Sequence, residues 1–252
     1  MKMIQIVGAG PGDPELITVK GMNALKEADI VIYAGSLVNP KLLEYCKKDC
    51  TVYDSAGMNL DEVIAVMKAE YAKDKRIVRL HTGDPSIYGA IREQMDLLAG
   101  LDIPFTVIPG VSSFCAAAAA LKKEYVLPEV SQTVILTRME GRTPVPKKED
   151  IRNLAKINAT MIIFLSVHLI EELVERLKAG YPEDTPCAVV YKASWPEEKQ
   201  VVGTLADIAG KVREEGIGKT ALITVGRFLG DEYALSKLYD KSFSHGYREA
   251  KD

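Results

Sequence analysis

Apolar, β-branched runs recur in the first half of the chain at 4–7, 30–33, 77–80 and 105–108, with helically spaced stretches such as 60–71 and 87–98 between them. Strand-length runs that alternate with helical stretches predict βαβ units and a parallel sheet. The runs are continuously apolar, as strands are when helices cover both faces of the sheet. Residues 112–120, five of them consecutive alanines, form a small-sided helix. Charge and proline between Lys122 and Pro128 then break the pattern and place a boundary between two α/β domains, 1–121 and 122–252. In the second, strands are expected at 133–137, 161–165, 188–191, 201–203 and 222–225, and helices over 149–156, 169–179 and 205–215. The segment 188–203 is interrupted by Ser194-Trp195-Pro196-Glu197-Glu198 and reads as a hairpin, so this sheet is expected to be mixed. The tail from Ser236 has no clear period.

Each early strand ends in small or turn-forming residues: Gly8-Ala9-Gly10-Pro11-Gly12-Asp13-Pro14, Ala34-Gly35-Ser36, Thr82-Gly83-Asp84-Pro85 and Pro109-Gly110-Val111-Ser112-Ser113. Ligands of open α/β sheets bind outside the carboxyl ends of the strands, so these four tips are expected to line one crevice. Asp84 and Ser112-Ser113 are equally good helix starts, with a short oxygen acceptor before free amides. The first glycine-rich loop invites a dinucleotide reading, but the third glycine of that fingerprint falls on Asp13, a carboxylate that repels phosphate. The ribose-binding acid expected after the second strand is also missing, which leaves a nicotinamide oxidoreductase as the weaker alternative.

At 252 residues the chain can bury a sizeable core, and its net charge of -3 argues against a general nucleic-acid binder. The apolar run at the N-terminus meets Gly8 too early for a signal-peptide core, and no run approaches the roughly 20 residues needed to cross a bilayer, so a cytoplasmic protein is expected. Cys46, Cys50, Cys115 and Cys187 lack zinc-site spacing and read as free thiols. The three histidines, His81, His168 and His245, are too dispersed to suggest a metal site.

The loop Gly8 to Pro14, the stretch His81-Thr82-Gly83-Asp84-Pro85-Ser86-Ile87-Tyr88-Gly89 and the stretch Pro109 to Ser113 together resemble the tetrapyrrole methylases, and the likeness covers almost the whole chain. Residues 132–146 and 236–246 resemble the branch of that family that methylates carbon 11 of precorrin-4, with or without cobalt. The resemblance implies two αβα domains with the active site in the cleft between them, S-adenosylmethionine as methyl donor, a small-molecule tetrapyrrole substrate and a homodimer. It implies that Pro11, Thr82, Gly83, Asp84, Ile87, Ser112 and Ser113 hold the donor from the first domain, and Ser166, Ala193 and Thr220 from the second. Another tetrapyrrole methylase, or a diphthine methylase of the same fold, is the near alternative. The acid and base proposed for related uroporphyrinogen methylases have no counterpart in Ala34-Gly35-Ser36 or in Asp54-Ser55-Ala56-Gly57-Met58, so no catalytic residue is carried over.

Such a substrate carries many carboxylates, which guanidinium forks match in pairs. Arg138 and Arg142 are the first candidates to bind it, followed by Arg79, His81, Lys192 and Trp195. Each has a structural alternative: Arg79 and Lys192 as surface charges, His81 as a core histidine, Trp195 as a hairpin anchor. Methyl transfer from a sulfonium needs alignment more than a nucleophilic side chain, which suits a chain with no evident triad.

Overall fold

The structure is a computed structural model and describes residues 3–250. The chain divides into two compact units. The first runs up to Ala117 and also takes in Lys192–Glu198; the second comprises Ala118–Tyr191 and the chain from Lys199 onward. The division falls inside helix α4 (Ser113–Leu121), somewhat before the boundary drawn after residue 121.

The first unit holds β1 (Ile4–Gly8), β2 (Ile30–Tyr33), β3 (Thr51–Asp54), β4 (Ile77–His81) and β5 (Phe105–Ile108) in one sheet. Its order is β3-β2-β4-β1-β5, and every pairing is parallel. Because β4 lies between β2 and β1, the strand order differs from the 3-2-1-4-5 of dinucleotide-binding sheets, which removes the nicotinamide alternative on topology. Alternate side chains enter opposite layers. Val7, Val31, Val78 and Leu80 pack with Leu25 of α1 (Val19–Glu27). Ile4, Ile30, Ile32 and Ile77 pack with Met67 of α2 (Leu60–Ala72) and Leu98 of α3 (Ile91–Gly100).

Two expectations need correction here. Strand β3 has no continuous apolar run, because it is an edge strand with Thr51, Val52 and Asp54 exposed, and it is illegible in the pattern. Helix α3 begins at Ile91 rather than near 87. Residues 84–90 instead form a turn with Tyr88 and Ala90 at positive φ, folded so tightly that Gly89 lies against the Pro85 carbonyl.

The second unit holds β6 (Val134–Arg138), β7 (Thr160–Phe164), β8 (Pro186–Tyr191), β9 (Lys199–Thr204) and β10 (Ala221–Val225), in the order β6-β7-β10-β8-β9. Only β6 and β7 are parallel, so the sheet is mixed, as the hairpin at 188–203 predicts. One core joins it to α5 (Ile151–Ala155), α6 (Ile170–Leu177) and α7 (Ile208–Glu214). Helix α6 shows why: Ile170, Leu173, Val174 and Leu177 make a buried stripe, with Glu171 and Glu172 in its first turn. The tail is largely irregular, as its lack of period predicts; Arg248 donates to the carbonyls of Leu238 and Asp240. All four cysteines are free thiols. No helix among the described residues is long and apolar enough to cross a membrane.

Candidate functional site

In the first unit the register brings the strand ends to one level, with Gly8 beside His81, Val7 beside Ile108, and Tyr33 beside both Leu80 and Asp54. The loops that follow therefore leave from the same edge of the sheet. Three of them meet main chain to main chain. A Cβ on Gly8 would lie 2.6 Å from the Gly110 Cα, and one on Gly110 would lie 2.2 Å from the Gly83 carbonyl oxygen. Only glycine fits such an approach. The loops are also bonded to each other: the Gly83 N–H donates to the Gly10 carbonyl at 2.9 Å, and the Gly10 N–H returns a bond at 3.2 Å.

Asp84 stands at this junction. One carboxylate oxygen accepts from the Gly110 N–H at 2.9 Å, and the other accepts from the Ser86 N–H at 2.9 Å and from the Ser86 hydroxyl. Partial burial works to raise its pKa, but the bonds from Ser86 and Gly110 outweigh it and hold the group below the ordinary carboxylate range. The Thr82 hydroxyl donates to the Leu37 carbonyl at 3.4 Å. Ile87 closes the turn after Asp84 through its N–H. Ser112 is buried, and its carbonyl accepts the Cys115 N–H in the first turn of α4, which Ser113 begins. The structure thus brings Pro11, Gly83, Asp84, Ser112 and their neighbours to one edge, as a crevice requires.

Several partners of these loops escape the sequence. Asn39 is buried; its Nδ2 donates to the Gly12 carbonyl at 2.8 Å, while its Oδ1 accepts from Lys41 N–H. Asn39-Pro40 signals a helical cap, but nothing local signals the reach to Gly12. Ser194 accepts from the Asp13 N–H and Trp195 donates to the Pro11 carbonyl, so the 192–198 segment, with buried Ala193, belongs to this unit. Lys192 Nζ lies 5.1 Å from the centre of the Trp195 ring. At the tip of β3, Asp54 accepts from Gly35 and Ala56 N–H groups, so its carboxylate lies against the loop after β2.

Arg79 and His81 lie on the α2 and α3 side of the sheet, and both are buried. Arg79 donates from Nε to Gln94 Oε1 and from Nη1 to the Ile32 carbonyl, each at 3.2 Å. Burial lowers its pKa to about 10, which leaves it charged at neutral pH. His81 is pushed down to about 3, first by burial and then by the Arg79 charge, so it is neutral. Its Nε2 meets no hydrogen-bond partner among the described residues. Neither side chain is open to solvent.

In the second unit, β6 and β7 end, β8 ends and β10 begins at one end of the sheet, which puts Arg138, Ser166 and Thr220 at that end. Ser166 is fully buried; its hydroxyl donates to the Phe164 carbonyl at 2.7 Å and accepts the Met139 N–H at 2.9 Å. Arg138 spends its guanidinium on the carbonyls of Met139, Thr143 and Pro144. The two residues together shape the 139–146 loop, on which Arg142 is exposed. Arg176, nearly buried, holds the same region through Glu140 at 3.3 Å and Asp150 at 2.8 Å. Among the described residues there is no group of three His, Cys, Asp or Glu able to hold a metal ion.

Comparison with known proteins agrees with this geometry. The sequence model of the tetrapyrrole (corrin/porphyrin) methylases matches residues 3–209. The cobalt-precorrin-4 C(11)-methyltransferase of Methanocaldococcus jannaschii is 61% identical over 251 residues, which are 99% of this chain and 97% of that protein. The X-ray structure of a cobalamin biosynthetic enzyme, cobalt precorrin-4 methyltransferase, CbiF, shares the fold at a TM-score of 0.89 with 47% identity, covering 91% of this chain and 96% of that one. The uroporphyrin-III C-methyl transferase of Thermus thermophilus, complexed with S-adenyl homocysteine, matches at a TM-score of 0.75 and 28% identity, over 90% of this chain and 93% of that one. By its glycine-lined strand tips and by these likenesses over nearly its full length, the chain belongs to the tetrapyrrole methylases.

Proposed function

We propose that this protein transfers a methyl group from S-adenosylmethionine to carbon 11 of cobalt-precorrin-4 during corrin-ring synthesis. The observation that carries the choice of substrate is the 61% identity, end to end, with a relative named for that reaction. The CbiF likeness points to the same cobalt-bearing substrate.

The strand tips of the first unit suit such a donor. Gly8 and Gly110 present bare main chain where a Cβ would collide with a neighbouring loop, and Gly83 holds a left-handed φ of 57°, so the strand tips offer a flat wall on which a nucleoside can lie. Asp84, kept ionised, places a negative charge beside that wall, and the hydroxyls of Thr82, Ser112 and Ser113 stand on the same loops. On this reading those residues and Pro11 hold the donor, with Ile87 beside them and Ser166, Ala193 and Thr220 contributing from farther along the chain. The bound donor supplies a methyl already activated by the sulfonium charge. The residues then have to align it: holding donor and acceptor in line is worth roughly 7 to 11 kcal/mol in ideal intramolecular geometry. No general base is assigned.

Carboxylates of the macrocycle call for cations, and Arg142, exposed on a loop shaped by Arg138 and Ser166, is the foremost of them, with Lys192 next. Arg79 serves by tying β4 to Gln94 and to the Ile32 carbonyl beneath the Thr82 loop, and His81 is buried on the same face. A homodimer, on the strength of the family resemblance, and a place in the cytoplasm complete the proposal; sedimentation at micromolar concentration tests the dimer.

The activity is tested by anaerobic incubation with S-adenosylmethionine and cobalt-precorrin-4, in parallel with metal-free precorrin-4, followed by locating the new methyl by NMR. A methyl on carbon 11 of the cobalt-bearing ring is the expected product. Methylation at another carbon, or preference for the metal-free ring, would sink the substrate assignment.

A further inference from the structure

The 192–198 segment grips the first glycine-rich loop at three consecutive residues. Trp195 Nε1 donates to the Pro11 carbonyl at 3.0 Å, and the Ser194 hydroxyl accepts the Asp13 N–H at 3.0 Å. Between them the indole lies on Gly12 so closely that a Cβ there would fall 2.0 Å from the ring atoms Cδ1 and Nε1. Asn39, on the loop after β2, holds the Gly12 carbonyl.

The gripping segment is itself held in an uncommon shape. Lys192 and Ser194 have φ of 46° and 70°, a left-handed backbone that side-chain residues keep only when their surroundings fix it. Here the Glu198 carboxylate accepts the Ser194 N–H at 2.7 Å. The indole N–H holds the Pro11 carbonyl, and when that donor is removed the carbonyl faces a bare ring.

We infer that Trp195 is a positioning residue for the methyl donor's site, acting through Pro11 and Gly12, rather than a contact for the tetrapyrrole. This rests on the proposal that the Pro11 loop borders S-adenosylmethionine. It also makes Trp195, the only tryptophan in the chain, a built-in optical reporter of that loop.

The test uses S-adenosylhomocysteine as the probe, titrated into the full-length protein by calorimetry and by tryptophan fluorescence. Wild type should bind and shift its emission in step with the heat. Trp195→Phe keeps an aromatic ring but loses the donor, and should raise the dissociation constant about ten-fold, the loss of one part-buried hydrogen bond. Ser194→Ala, which leaves the indole in place, should raise it about three-fold. KM for the tetrapyrrole should stay within two-fold in both variants. Unchanged affinity in Trp195→Phe, or a raised tetrapyrrole KM with unchanged affinity, would overturn the inference alone. Absence of any calorimetric binding by wild type would overturn it together with the proposed function.

Discussion

One carboxylate oxygen of Asp84 accepts the backbone N–H of Gly110 at 2.9 Å, so that a single side chain ties the loop after β4 to the loop after β5. Replacing Asp84 by Ala strands the part-buried Gly110 N–H, at a cost of about 1 to 3 kcal/mol for a group left unsatisfied away from water, while the exposed N–H of Ser86 turns to solvent. If the loops hold the methyl donor, Asp84→Ala should weaken S-adenosylhomocysteine binding at least three-fold by calorimetry. An affinity within two-fold of wild type would leave Asp84 as a turn cap and nothing more.

The glycine contact between the same loops has a sharper signature. At Gly110 an added methyl meets the Gly83 carbonyl and the Gly8 Cα, which are backbone and cannot swing aside. Overpacking of this kind costs about 1 to 3 kcal/mol. Gly110→Ala should therefore lower Tm by roughly 3 to 10 °C and abolish donor binding. Gly100→Ala is the control. It lies at the end of α3 with nothing within 4 Å of the added methyl, and should leave both quantities unchanged or raise Tm slightly.

Burial of neutral His81 gives the fold an acid sensitivity that can be assigned to one residue. Its pKa is about 3 in the folded protein against an ordinary 6.5, so below pH 6.5 the unfolded chain binds a proton that the folded one refuses. The stabilisation is complete above pH 6.5 and drains away as pH falls toward 3, at up to about 1.4 kcal/mol per pH unit. Urea unfolding between pH 6.5 and 4.5 should show this slope in wild type. In His81→Leu it should be flatter by about 1 kcal/mol per unit, with part of the remainder due to carboxylates. An unaltered slope would mean that His81 is hydrated and titrates normally.

Much of this was legible in the residues, and the parts that were not share a cause. Nine of the ten strands among the described residues announce themselves, the interior ones because burial demands apolar runs and the edges β5, β6 and β9 because they still carry short ones; edge strand β3, with Thr51, Val52 and Asp54 exposed, carries none. The glycines at strand tips are legible because close backbone approach permits nothing else. What local pattern cannot carry is the partner of a polar side chain from a distant segment. Asn39 reaching Gly12, Gln94 reaching Arg79, and Ser194 reaching Asp13 are each plain residues in sequence. Trp195 stands out in the sequence, but its target at Pro11 lies 184 positions away.

The two arginines singled out for the substrate stand in different surroundings, and the difference can be measured. Arg138 is half-buried and its fork spans three carbonyls of the 139–146 loop, from Met139, Thr143 and Pro144. An ammonium is a point charge and cannot reproduce that span. Arg138→Lys should therefore loosen the loop, seen as faster amide exchange over 139–146, and should raise the tetrapyrrole KM indirectly. Arg142 is exposed, so Arg142→Ala should leave Tm within about 1 °C, as surface substitutions do, and leave S-adenosylhomocysteine affinity unchanged. Its tetrapyrrole KM should rise five- to twenty-fold if it pairs with a substrate carboxylate, the equivalent of about 1 to 2 kcal/mol for a charge-assisted bond. Equal KM in Arg142→Ala and wild type would move the carboxylate contact elsewhere, with Lys192 the next to test.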